Sequence, residues 1–131
     1  HRLYTSDLGE DIFDDDRHLF LHASPVPSYY QLHVPFIVWT SDTYREKYPE
    51  DMDAFQKNRH KSVASNRVGF HSVLDLAGVT TTYVNDSLSV ASPSYTEFPR
   101  FYLNDHNEPR SYDDIGLRKE DFEMFGKMGI R

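Results

Sequence analysis

Val34-Pro35-Phe36-Ile37-Val38-Trp39-Thr40 is the stretch that decides the fold class. Apolar β-branched and aromatic residues occupy both alternating faces, which is the composition of a strand buried on two sides, as the parallel strands of α/β sheets are. Pro35, which has no N–H to give a ladder, is confined to its start. A buried parallel strand is therefore expected here, with helices covering both faces of its sheet.

Moving toward the C-terminus, Ser41 or Asp42 is placed to cap a helix that carries Tyr44, Tyr48, Met52 and Phe55 at intervals of four, four and three. Pro49 interrupts it, so two short helices or a kink are expected rather than one rod. Asn66 is placed to cap a further helix whose Phe70, Val73, Leu74 and Ala77 share one face, a face expected to be core, and Gly78 is expected to end it. Val79 to Val84 reads as a strand. Beyond it the chain is polar, aromatic and broken by Pro93, Pro99 and Pro109, with Phe101-Tyr102-Leu103 as a short edge strand and Glu120 to Phe125 as a final helical turn or two.

Moving toward the N-terminus, residues 10 to 31 form a long stretch expected to be mostly irregular, acidic at Asp11 and Asp14 to Asp16, with Pro25 and Pro27 excluding a continuous helix. Before it, Leu3 to Ser6 reads as a strand that runs straight into Asp7-Leu8-Gly9-Glu10. The chain opens at His1 almost inside that strand, with no leading cap or turn, and is expected to be part of something longer. Its architecture is expected to be part of an α/β sandwich, with Leu3 to Ser6 and Val34 to Thr40 as neighbouring, mostly parallel central strands flanked by helices.

With 131 residues, the chain is long enough to bury roughly two-thirds of the surface its unfolded form exposes. Its 21 acidic against 14 basic residues give −7, which argues against a surface that neutralises nucleic-acid phosphates. Cysteine is absent, which removes disulfides, thiolate metal sites and a cysteine nucleophile. The longest apolar runs fall far short of the roughly 20 residues of a membrane-spanning helix.

Chemistry is concentrated at two places. Asp7 stands at a strand end with Gly9 two residues on, an arrangement that fixes a carboxylate and leaves its face open to a metal, and one that is equally an ordinary turn. His22 lies between apolar Leu19-Phe20-Leu21 and Pro25, a context that holds an imidazole in place. His18, His33, His60 and His106 have polar or loop contexts and are expected to face solvent. The acidic run lacks the spacing and central Gly of a calcium loop and is expected to be a solvated face. No phosphate-binding Gly loop, His-Glu-x-x-His helix or Gly-x-Ser-x-Gly elbow occurs.

The order of these pieces resembles the phosphoethanolamine transferases of the alkaline phosphatase and sulfatase superfamily. Tyr4-Thr5-Ser6-Asp7-Leu8-Gly9-Glu10 resembles that family's Ser-Asp-His-Gly-Glu strand end, and Leu19-Phe20-Leu21-His22 with Pro25 resembles its Leu-His-Gly-x-Pro. Gln31 to Trp39 resembles its Gln-x-x-Val-Pro strand, and Phe70 to Val79 its Phe-His-(Ser/Thr)-Val-Leu helix. The resemblance covers residues 3 to 92, leaving residues 93 to 131 as an unplaced tail, and implies that residues 1 to 131 are the C-terminal portion of a sulfatase-like catalytic domain.

It further implies a zinc-dependent enzyme at the periplasmic face of the inner membrane that moves phosphoethanolamine from a phospholipid donor to a lipopolysaccharide sugar phosphate through a Thr nucleophile. By the same resemblance, Asp7 stands at a metal-ligand position and His22 at a substrate-binding one. Leu8 stands where the family has a zinc-binding His, and an isobutyl group has no lone pair to donate. The resemblance implies that the nucleophile lies outside this chain, which is therefore expected to be inactive alone and to expose strand edges that favour self-association. A sulfatase or phosphoglycerol transferase relative, and a degenerate non-catalytic interaction module, are the alternatives.

Overall fold

The computed structural model describes residues 1–22, 26–104 and 106–130. They form two compact units: His1–Thr5 with Phe36–Phe98, and Ser6–Pro35 with Pro99–Arg131.

In the first unit, β1 (Arg2–Thr5) pairs with β4 (Phe36–Trp39), so the two expected strands are indeed neighbours. They run antiparallel, however, in the register Leu3↔Val38 and Tyr4↔Ile37, and the expectation of a parallel pair buried on both faces is corrected. The burial pattern supplies the reason: Leu3, Thr5, Phe36 and Val38 turn inward while Arg2, Tyr4, Ile37 and Trp39 face out, the alternation of an antiparallel ribbon covered on one side.

Ser41 caps α2 (Asp42–Lys47), its hydroxyl accepting from the Tyr44 N–H at 3.2 Å. Pro49 then opens α3 (Pro49–Asn58), where a missing N–H costs nothing, so the proline divides one apolar pattern into two helices as expected. The helix α4 (Ser65–Leu76) starts one residue before Asn66, on an Ala64 cap with no side-chain hydrogen bond. It ends ahead of Gly78, which takes the positive φ of 67° that closes such helices.

The face of α4 that is buried is Val68, Ser72 and Leu76, and Phe70 and Val73 stand exposed, which corrects the expected core stripe. Ser72 explains the rotation. Its hydroxyl accepts from the Val90 N–H at 3.1 Å, and the Ser89 hydroxyl donates to Asp75 at 2.5 Å, so the segment after α4 is pinned to the face that carries Val68, Ser72 and Leu76 rather than to the one that carries Phe70 and Val73. Val79 to Val84 is loop and turn, not a strand, and leads into a 3-10 turn at Asp86–Leu88. Val68, Val90 and Tyr95 form the core of this unit, with Phe36, Val38, Phe55 and Val63 packed against it.

In the second unit, β2 (Asp11–Ile12) and β3 (Phe20–Leu21) make a short antiparallel hairpin inside the stretch expected to be irregular. The helix α1 (Tyr29–Leu32) follows, capped by Ser28. Phe101–Leu103 does form the expected strand, β5, pairing with β6 (Pro109–Ser111), and the last helical segment is α5 (Lys119–Lys127). Tyr29 meets Phe125 edge-on at 5.0 Å, and both rings are buried. Beside them, Asp121 accepts from Arg17 Nη1 at 2.7 Å, from Arg17 Nη2 at 2.8 Å, and from the Tyr29 and Arg118 N–H groups at 2.9 Å each. That carboxylate fastens α5 to α1 and to the hairpin.

Candidate functional site

A tight turn follows β1. The Ser6 hydroxyl donates to the Leu8 carbonyl at 2.6 Å and the Leu8 N–H donates to Asp7 Oδ1 at 3.0 Å, so the Asp7 side chain closes on the adjoining backbone while the residue stays exposed. Gly9 then runs against α1, its N–H donating to the Gln31 carbonyl at 2.9 Å. A Cβ at that position would lie 2.0 Å from the Tyr30 carbonyl oxygen, which is why the residue is glycine.

Asp11 anchors the turn from the other side. It is 3% exposed, accepts from the Ser28 hydroxyl at 2.5 Å and also from the Gln31 side-chain amide, and so does structural work instead of belonging to a solvated acidic face. Asp15 likewise pairs with Arg17 at 2.5 Å, and that guanidinium holds the Asp15 carboxyl below its ordinary range.

His22 emerges from β3 beside Leu21, whose φ of 61° is a left-handed conformation that a branched side chain adopts only at a cost of about 1–2 kcal/mol. Phe13, across the hairpin, has φ 66°. The imidazole Nδ1 lies 3.0 Å from Glu10 Oε1, both side chains being about half exposed. A carboxylate on Nδ1 favours the tautomer with its proton there and leaves Nε2 free to meet a ligand.

Glu10 is thus the acid that meets His22, and no hydrogen bond or ion pair joins His22 to Asp7. Glu10 was missed in the sequence because nothing in Gly9-Glu10 marks an interaction with a residue twelve positions on. Pro25, which follows His22 in the Leu-His-x-x-Pro pattern, lies outside the described residues.

Among the other histidines, His18, His60 and His106 are exposed as expected. His33 is not: it is half-buried, the Tyr29 hydroxyl is 2.5 Å from its Nδ1, and burial holds its pKa below the ordinary histidine value. Among the described residues, no group of three His, Asp or Glu side chains could hold a metal. Asp7 alone is a candidate ligand and Leu8 contributes nothing, whereas zinc sites draw on three or four donors. The described residues by themselves do not fit a zinc ion. No helix among them is long and apolar enough to cross a membrane.

No family model matches the chain. It is 28% identical over 107 residues to the phosphoethanolamine transferase CptA of Salmonella typhimurium, an overlap of 81% of this chain and 18% of that protein. It is 31% identical over 93 residues to the phosphoethanolamine transferase EptA of the same organism, covering 70% of this chain and 17% of that protein. Among solved structures, it is similar to the C-terminal periplasmic domain of EptC from Escherichia coli, with a TM-score of 0.74 and 23% identity, over 98% of this chain and 34% of that domain. The chain therefore has the fold of about a third of that periplasmic domain, tail included, and spans less than a fifth of the length of the curated relatives it matches.

Proposed function

We propose, for a chain whose curated relatives are phosphoethanolamine transferases, that it is a C-terminal part of such an enzyme, presenting Asp7 and the Glu10–His22 pair to a reaction whose nucleophile lies elsewhere. The observation that carries this reading is the position of Asp7, on a turn at the end of β1 and held by the Leu8 N–H, in a chain that matches those transferases over 107 residues.

The role of each group follows from its chemistry. Asp7 offers one carboxylate oxygen at the rim, an anionic donor suited to a cation that screens a phosphoryl group. His22, oriented through Nδ1 by Glu10, presents Nε2 as a hydrogen-bond donor to a phosphate oxygen when protonated and as a proton acceptor when neutral. Zinc, if bound in the complete enzyme, supplies activation of the nucleophile and charge screening. A phospholipid donor and a lipopolysaccharide sugar phosphate are the substrates proposed for that enzyme, with the reaction at the periplasmic face of the inner membrane. The chain alone should not turn over a phosphoethanolamine donor.

Residue 8 provides the test. In a calorimetric zinc titration, the natural chain should bind weakly, whereas Leu8→His adds an imidazole next to Asp7 and should tighten binding by about tenfold or more, as expected for a gained ligand. Equal affinities would show that Asp7 is not a metal ligand in this fold. Zinc-dependent turnover by the unaltered chain would overturn the proposed inactivity. Leu8 also favours, as a second reading, a module that has lost metal chemistry, and under that reading Leu8→His would leave zinc affinity unchanged.

A further inference from the structure

The first unit contains a groove of about 700 Å³ between the inner face of β4 and α3, in the size range of small-molecule sites. Its floor is apolar, made by Phe36, Val38, Met52 and Phe55. Arg45, Arg59 and Lys61 also line it, and no acidic residue does, although the chain as a whole carries 21 acids against 14 bases. The reversal of charge is local to this groove.

Of the three cations, Arg45 donates through Nε to Thr40 at 3.1 Å and approaches Asp42 only at 3.7 Å, in a pair that is largely exposed. Lys61 donates to the Tyr95 carbonyl at 2.8 Å and Arg59 to His60 at 2.9 Å, and neither forms an ion pair with a carboxylate among the described residues. Asn58 lines the same groove, and its amide nitrogen donates to the Val90 and Ser92 carbonyls, which fastens α3 to the segment that carries Val90.

We propose that this groove binds an anionic amphiphile: a phosphate monoester with a single acyl chain, the chain on the apolar floor and the phosphate between Arg45 and Arg59. Neither Asp7 nor His22 lines the groove, and the proposal does not depend on their assignment. Guanidinium groups suit a phosphate because their fixed fork matches two oxygens at once.

Calorimetry on the whole chain with 1-lauroyl-glycerol 3-phosphate, kept below its critical micelle concentration, tests this directly. Glycerol 3-phosphate and dodecyl maltoside separate the contributions of head and tail. Saturable one-to-one binding is expected, about tenfold or more tighter than to either comparison compound. Arg45→Gln and Arg59→Gln should each weaken it by about tenfold, the worth of one charge-assisted hydrogen bond, without changing the melting temperature appreciably. Asp7→Asn should leave it unchanged. The proposal fails if no saturable binding occurs, if dodecyl maltoside binds as well, which would make the groove merely apolar, or if glycerol 3-phosphate binds as well, which would make it a plain anion patch. Binding that survives both arginine substitutions also overturns it.

Discussion

Asp121 is 1% exposed, and burial by itself would push its proton affinity up. Arg17 and two backbone N–H groups outweigh that effect and hold the carboxyl below its ordinary value, while the same contacts raise Arg17 further above neutrality. A carboxyl whose folded pKa is depressed stabilises the fold above its unfolded pKa of about 4 and loses that contribution as pH falls through the lower, folded value. Asp121→Asn should therefore cost about 3 kcal/mol at pH 7, because it leaves a buried guanidinium with only Asp15 as partner, and the gap from the natural chain should narrow in acid. Urea unfolding of both proteins at pH 7 and at acid pH measures it, and a gap that stays constant with pH would refute the assignment. The pair is separated by 104 positions, so neither member announces the other in the sequence.

At the scale of elements, the turn after β1 is set by backbone packed on backbone. Gly9→Ala would drive a methyl to within 2.0 Å of the Tyr30 carbonyl oxygen and threaten the hydrogen bond from Gly9 to Gln31. Overpacking of this kind costs typically about 1–3 kcal/mol, and the upper end is expected here because the obstacle is main chain rather than a movable side chain. A melting curve matching the natural chain would show that the turn can shift freely. Other elements were plain in the sequence because their signals are local: the Ser41 cap, the break at Pro49, the Gly78 stop and the β1 and β4 composition all lie within a few residues of what they control. What stayed hidden was set from a distance. Pairing direction depends on which strand meets which, the buried face of α4 on Ser72 reaching Val90, and the place of Asp11 on Ser28 and Gln31. For the candidate site, Asp7 and His22 could be read as residue types in context, but the partner of His22 could not.

At the scale of the molecule, the first unit carries a sheet of two strands. The outer face of the β1–β4 ribbon presents Tyr4, Ile37 and Trp39 at 61%, 54% and 53% exposure, and among the described residues the sheet has two strands, each with an edge that no other strand covers. Apolar side chains beside an open strand edge are the features through which strands recruit one another, and the outer face carries one charge against this, Arg2 at its end, while no proline or bulge interrupts either strand. The net charge of −7 opposes association of identical chains, and salt screens that repulsion over a distance of about 10 Å at 0.1 M. The balance predicts reversible self-association that strengthens with both concentration and ionic strength, opposite to the salt response of an ion-paired interface. Ile37→Lys, which puts a charge at the centre of the outer face without touching the core, should return the chain to monomer. Static light scattering across a concentration series at low and high salt measures this, and a constant monomeric mass for the natural chain under both conditions would show that the ribbon does not recruit a second copy.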